Sequence, residues 1–270
     1  MRQTKEEILH NNILYTCLHH NKYGNEQIVM EHAFTFILSG KIKFQTNELI
    51  GIYGAGSIAL IRKNELVKTL KLPDENGLPF KSISIFLKQQ FLRNYAAERS
   101  IPEQETYTGK NLVEFSKNPF IKAYFDSLIP YFNQPSKLSP SMTELKTKEA
   151  VELILGVNEG YKNFLFDFTE PFKIDLEMYM NKNFTFDIPI KEFARLSGRS
   201  LSTFKRDFKK IFNTTPEYWL REKRLDVAHF LISEKKQKPS DTFMQVGFKN
   251  FSHFSYSFKE KFGYKASSLK

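Results

Sequence analysis

Between residues 24 and 90 the apolar residues come in short runs broken by glycine, and within each run they alternate with polar ones. AFTFILSG gives a strand over 33–38 ending in a Ser39-Gly40 turn, and KIKFQT continues from it with alternating faces. GAGSIALI adds a turn and a strand, and FKSISIFL a further strand of strict alternation. Successive strand side chains point to opposite faces, so this period of two predicts half-buried strands. Several such strands at this spacing predict a small antiparallel sandwich or barrel. Of its aromatics, Phe36, Phe44 and Phe86 are expected in the core.

After about residue 110 the apolar period lengthens to that of a helix. Helices are expected over 118–132 and 141–155, separated by the Pro/Ser-rich NQPSKLSPS. Ser141 and Glu144 have the spacing of a capping box at the second helix start. DFTEP at 167–171 marks the expected boundary to a different kind of segment.

That segment contains a repeat at an offset of 50 residues. Residues 202–212 read STFKRDFKKIF and residues 252–262 read SHFSYSFKEKF, both matching S-x-F-x-x-x-F-K-x-x-F without a gap. On a helix, Phe204, Phe208 and Ile211 share one stripe with Leu201, so that face is expected to be buried. At 100° per residue, Arg199, Ser202, Arg206 and Lys209 fall opposite, with Lys205 on the flank. In the second copy Phe254 and Phe258 form the buried stripe. Ser252, Tyr256 and Lys259 lie opposite, with His253 and Ser255 on the flanks. Phe251 is expected to be mostly core.

IPIKEFARLSG, ahead of the first copy, offers a short helix with apolar Ile190, Phe193 and Leu196, a small Ala194, and Gly198 as its stop. A helix, a glycine-containing turn and an amphipathic helix with a basic face make the helix-turn-helix pattern. Between the copies, TPEYWLREKRLDVAHFLISE predicts one long helix, capped by Thr215 with Pro216 at its first position. Such a helix can hold two reading helices at the separation of successive major grooves, about 34 Å.

Charge sharpens the picture. Residues 171–270 carry 20 Lys+Arg against 11 Asp+Glu, whereas the first 170 residues carry 20 against 19. A nearly neutral front and a strongly basic back imply a polyanion as the partner of the back.

These motifs resemble the AraC/XylS family of bacterial regulators over essentially the whole chain. FARLSGRSLSTFKRDFKKIFNTTPEYWL resembles the first helix-turn-helix of that family, RLDVAHFLI its linker helix, and VGFKNFSHFSYSFKEKFG its second unit. EHAFTFILSGKI and GAGSIALIRKN resemble its front half more loosely, closest to the branch that includes activators of type III secretion genes. The resemblance implies an α+β chain. A cupin-like antiparallel β-barrel regulatory domain is expected over 1–110, a helical dimerisation segment over 111–168, and an all-α DNA-binding domain over 169–270. It implies a sequence-specific transcription regulator, expected to activate. Double-stranded DNA is its partner, a homodimer its assembly, and a small-molecule effector or a protein antiactivator its input.

Mapped onto the recognition helices, the family's base-facing sites fall on Ser202, Lys205 and Arg206, and on Ser252, Ser255 and Tyr256. Arg206 is favoured, since arginine can bind guanine bidentately. Arg199, Lys209 and Lys259 are expected to hold phosphate, and Thr203, Asn250 and His253 complete the expected interface. Two departures mark the second unit. Phe243 stands where the family has Ala, predicting altered helix packing, and Ala266 where it tends to have Pro.

Other chemistry has little support. The six histidines, His10, His19, His20, His32, His229 and His253, show no H-x-H and no companions for His32 at strand spacing, so no metal or cofactor is expected. No nucleophile elbow, P-loop, dinucleotide fingerprint or zinc-protease motif occurs, and an enzyme is not expected. A cupin metalloenzyme with a DNA-binding tail is the remaining catalytic alternative, and it would require bound metal. Cys17 is the single cysteine, so no intramolecular disulfide can form. The opening MRQTKEEILHNN lacks a secretory core, and no run of roughly 18 apolar residues is free of charge. A soluble cytoplasmic protein without a membrane partner is the expectation.

Overall fold

The computed structural model describes residues 7–24, 27–102, 104, 106–169 and 171–269. The opening MRQTKE and Glu170 of the DFTEP segment lie outside the described residues. The chain divides into two units, Met1–Thr169 and Glu170–Lys270.

Among the described residues of the first unit, ten strands form two antiparallel sheets. They are β1 (Glu7–His10), β2 (Ile13–Leu18), β3 (Lys22–Tyr23), β4 (His32–Ser39), β5 (Lys41–Gln45), β6 (Ile50–Gly54), β7 (Ile58–Ile61), β8 (Lys68–Leu72), β9 (Phe80–Leu87) and β10 (Leu112–Glu114). One sheet runs β1-β2-β9-β4-β7-β10 and the other β3-β8-β5-β6. The chain passes from one sheet to the other at Gly40, whose φ of 77° and contact with the Leu72 carbonyl leave no room for a side chain.

Alternation along β4 and β9 gives the large sheet two unlike faces. Phe34 pairs in register with Ile85 and Phe36 with Ile83, and all four are buried on one side. Ala33, Thr35, Ser82, Ser84 and Phe86 point to the other side. There, with Ile42, Phe44 and Tyr53 of the small sheet, they line a cavity of about 590 Å³. Phe36 and Phe44 are buried as expected, and Phe44 together with half-buried Phe86 also lines the cavity. Glu7 ties the sheets together, accepting from Lys22 at 3.3 Å and Lys71 at 2.9 Å.

The same unit carries the helices α1 (Gln89–Glu98), α2 (Pro119–Asp126), α3 (Ile129–Asn133), α4 (Pro140–Val157) and α5 (Tyr161–Leu165). Their apolar faces share one core with Phe34, Phe36, Ile83 and Ile85, centred on Phe125, whose ring lies 4.9 Å from Phe34. The single helix expected over 118–132 is two. Pro130 has no N–H and its ring crowds the carbonyl of Asp126, so the helix breaks there. The expected capping box at Ser141 is also displaced. Ser139 caps α4, accepting from the Met142 N–H at 3.1 Å, because Pro140 takes the first helical position.

The second unit is all helix: α6 (Leu176–Asn183), α7 (Ile190–Leu196), α8 (Leu201–Phe212), α9 (Pro216–Ser233), α10 (Pro239–Gln245) and α11 (Phe251–Phe262). The α+β architecture expected from the sequence holds. No helix among the described residues is long and apolar enough to cross a membrane.

Candidate nucleic-acid interface

The first helix-turn-helix is α7 and α8. Phe193 and Ala194 of α7 are buried, the small side chain allowing close approach. Gly198 makes the turn with φ of 69°, and a Cβ there would lie 2.1 Å from the Phe172 carbonyl carbon. Only glycine fits that backbone. Ser200 caps α8, its Oγ accepting from the Thr203 N–H at 3.3 Å, and left-handed Asn213 ends it.

The second is α10 and α11. Gly247, with φ of 103°, makes its turn. Asn250 caps α11, its Oδ1 accepting from Ser252 at 2.8 Å and His253 at 3.1 Å, and left-handed Gly263 ends it. The sequence repeat is thus a structural repeat. Both helices are 12 residues long, and the Ser of each copy is the second residue of its helix. Phe204 and Phe208 are buried, as are Phe254 and Phe258, while Lys209 and Lys259 are exposed.

Between them α9 starts as expected, with Thr215 accepting from the Tyr218 N–H at 3.3 Å and Pro216 at its first position. Trp219 on α9 packs on Phe208 and Phe212, with ring centroids 5.8 and 4.7 Å away.

The outer face of α8 presents Ser202, Lys205, Arg206 and Lys209, all exposed, with Thr203 half-buried. The Arg206 side chain is 65% exposed, with its guanidinium 3.4 Å from Asp207. Lys205 stands 3.7 Å from Glu217. On α11, Asn250, Ser252, His253, Tyr256 and Lys259 are exposed and Ser255 is half-buried.

Arg199 is a correction. Its side chain is only 6% exposed, and one Nη donates to the carbonyls of Ile174 at 2.9 Å and Ser197 at 2.8 Å. Its Nε lies 3.2 Å from Asp207. Arg199 precedes the Ser200 cap, so the helical step that placed it on the outer face does not apply to it. Desolvation pushes the Asp207 carboxyl up, but the hydrogen bond from Arg199, the charge and hydrogen bond of Lys173 and the hydrogen bond from Arg206 outweigh it and hold it below the ordinary range.

Three apolar placements also differ from expectation. Leu201 and Ile211 are 43% and 45% exposed, because the buried line follows the four-residue steps Phe204, Phe208, Phe212 toward Trp219. Phe251, expected as core, is 43% exposed, although its ring meets Phe243 at 5.4 Å. Phe243 is accommodated half-buried between Phe251 and Phe254. Ala266 is buried in the core of the second unit.

Sequence reasoning missed Lys249, which sits on the turn into α11 with a 71% exposed side chain, 3.0 Å from Asp187. Its position one residue before the cap was the available signal. It also missed Lys173 beside Asp207, and here the sequence held no signal, since the two are 34 positions apart. Among the described residues no group of three or more His, Cys, Asp or Glu converges to hold a metal ion.

Known proteins share this arrangement. The ExsA N-terminal regulatory domain family matches residues 32–172, and a helix-turn-helix domain family matches residues 193–270. The virulence regulon transcriptional activator VirF of Yersinia enterocolitica is 23% identical over 87% of this chain and 88% of its own. The HTH-type transcriptional regulator ExsA of Pseudomonas aeruginosa is 23% identical over 86% of this chain and 84% of its own. Among solved structures, ToxT from Vibrio cholerae covers 96% of each chain at 16% identity, with a TM-score of 0.42. With one family covering the β-rich unit and the other the paired helix-turn-helix units, the chain belongs to the AraC-type transcription regulators that carry an ExsA-type N-terminal regulatory domain.

Proposed function

We propose that α8 and α11 enter successive major grooves of one DNA duplex, and that the protein activates transcription from the site so bound. Ser202, Lys205 and Arg206 read bases from α8, and Ser252, Ser255 and Tyr256 from α11. Lys209 and Lys259 contact phosphate, with Thr203, Asn250 and His253 at the helix starts beside it. Arg199 supports α8 from within. The observation that carries this reading is the repeat itself: two equal helices that bury the same phenylalanines and expose the same serine and lysine positions. Activation is supported by the relatives named as transcriptional activators. Those relatives, all regulators, also support a non-enzymatic role.

The first unit receives the signal and pairs two chains. A cavity of about 590 Å³, within the range of ligand pockets, favours a small-molecule effector over a protein antiactivator. Pairing runs through helices of residues 111–168, where Phe120 of α2 and Leu145 of α4 are exposed. Sedimentation showing only monomer at micromolar concentration would overturn the pairing. For the DNA contact, binding to the promoter is measured for Arg206→Ala and Tyr256→Ala. Arg206→Ala is expected to cost about 1–3 kcal/mol, the worth of a bidentate arginine–guanine pair. Tyr256→Ala should cost less, and equal losses would refute the stronger role of α8.

A further inference from the structure

Two reading helices on one chain can seat on one duplex only if their separation and relative rotation match the groove repeat of about 34 Å. The 18 residues of α9 form a rod of roughly 27 Å at 1.5 Å per residue. A rod limits distance, but rotation is set by what the rod is fastened to.

The fastening is visible at Arg224, midway along α9. Its Nε donates to the Phe184 carbonyl at 2.8 Å and its Nη2 to the Phe186 carbonyl at 2.8 Å. The Asp187 carboxylate stands 3.9 Å from its Nη1. Residues 184–187 connect α6 to α7, so these contacts belong to the first helix-turn-helix. From the other side comes Gly247, in the turn between α10 and α11. A Cβ at Gly247 would lie 2.6 Å from the Thr185 carbonyl and 2.8 Å from Arg224 Nε. Lys249, in the same turn, reaches Asp187 at 3.0 Å. One guanidinium therefore lies between the loop that leads into the first helix-turn-helix and the turn of the second helix-turn-helix. Its planar fork holds two carbonyls in one fixed geometry, which a lysine cannot do. Its side chain is 11% exposed, so little water competes for those bonds.

We infer that Arg224, held by the Phe184 and Phe186 carbonyls and pressed by the Gly247 turn, is the positioning residue that fixes the rotation between the two reading helices. This rests on the reading that α8 and α11 both enter major grooves, and it adds which residue makes the chain selective for the spacing between its half-sites. Arg224 contacts no base and acts through the helices it holds.

Full-length protein is titrated onto duplexes bearing both half-sites as footprinted for the wild type, the first half-site alone, or both half-sites with one to three inserted base pairs. Each inserted pair turns the second half-site by roughly 35°, given 10–10.5 base pairs per turn. The wild type is expected to lose at least about tenfold in affinity at two inserted pairs, a mismatch of about 1.4 kcal/mol or more. In Arg224→Met that penalty should fall below about threefold, equivalent to roughly 0.7 kcal/mol, while affinity for the first half-site alone stays unchanged. Arg224→Lys should fall between, and Gly247→Ala, which pushes on the same contact from the second helix-turn-helix, should shift the preferred spacing. Retained half-site binding identifies a folded variant. A wild type indifferent to the insertions would refute the two-groove reading itself. A wild-type penalty kept unchanged in Arg224→Met, or in both Arg224→Lys and Gly247→Ala should Arg224→Met fail to bind the half-site, would overturn the role of Arg224.

Discussion

Arg199→Ala separates two accounts of one residue. As a phosphate contact, Arg199 would matter only when DNA is bound. In the structure it is an internal brace, donating to the carbonyls of Ile174 and Ser197 and facing Asp207. Hydrogen bonds from a charged group contribute about 1.5–3 kcal/mol each. Loss of the two carbonyl bonds should therefore destabilise the second unit by about 3 kcal/mol. For a unit of about 100 residues that corresponds to a melting temperature lower by roughly 15 °C. The assay is built in, because Trp219 is the single tryptophan of the chain and packs on Phe208 and Phe212 beside α8. Urea unfolding followed by its fluorescence reads the unit that Arg199 braces. DNA binding is then measured against salt at a temperature where the variant stays folded. Each phosphate contact contributes about 0.9 to the slope of log affinity on log salt for duplex DNA. The brace predicts a lower urea midpoint with an unchanged salt slope. An unchanged midpoint with a slope shallower by about one would refute it and restore Arg199 to the phosphates.

Two further outcomes follow from local geometry. Gly198→Ala should cost more than about 2 kcal/mol, since a left-handed residue with a Cβ costs about 1–2 kcal/mol and overpacking about 1–3 more. The added carbon would sit within 2.4 Å of the Phe172 and Lys173 main chain; a variant with wild-type urea midpoint would show that the turn can relax. In the first unit, buried Asp167 pairs with Arg62 and accepts from the main chain of Tyr107 and Thr169 at 3.0 Å. Desolvation pushes its carboxyl up, but the hydrogen bonds of Thr169 and Tyr107 and the charge of Arg62 outweigh it and lower it below 3.8. A lowered folded value means stability present above 3.8 that is lost as pH falls through the folded value. Circular dichroism of urea unfolding at about pH 5 and pH 3 should show a smaller acid loss in Asp167→Asn than in the wild type, and equal losses would count against it.

Much of the second unit was legible because its signals are local. A helix of period 3.6 that must bury one face writes phenylalanines at four-residue steps, and two copies of that pattern fixed α8 and α11. Thr215 with Pro216 at the start of α9 was readable for the same reason, as were the turn glycines Gly198 and Gly40. A local rule fails past its range: helical geometry does not reach Arg199, which lies ahead of its cap, and the helical period does not run through Pro130, which breaks the ladder. The short α6 carries a weak amphipathic pattern, and packing makes it helical.

The amino-acid sequence alone determined the classes of element, the repeat, the asymmetry of charge and the family, because each is a property of neighbours along the chain. Tertiary structure alone decided what meets across it. It brought Lys173 and Arg199 to Asp207, set Arg224 between the carbonyls ahead of one helix-turn-helix and the glycine turn of the other, and opened a cavity between two sheets. Apart from Arg199 and Asp207, eight positions apart, those contacts join residues tens of positions apart. Periodicity reports which face of an element is buried but carries no information about which partner buries it.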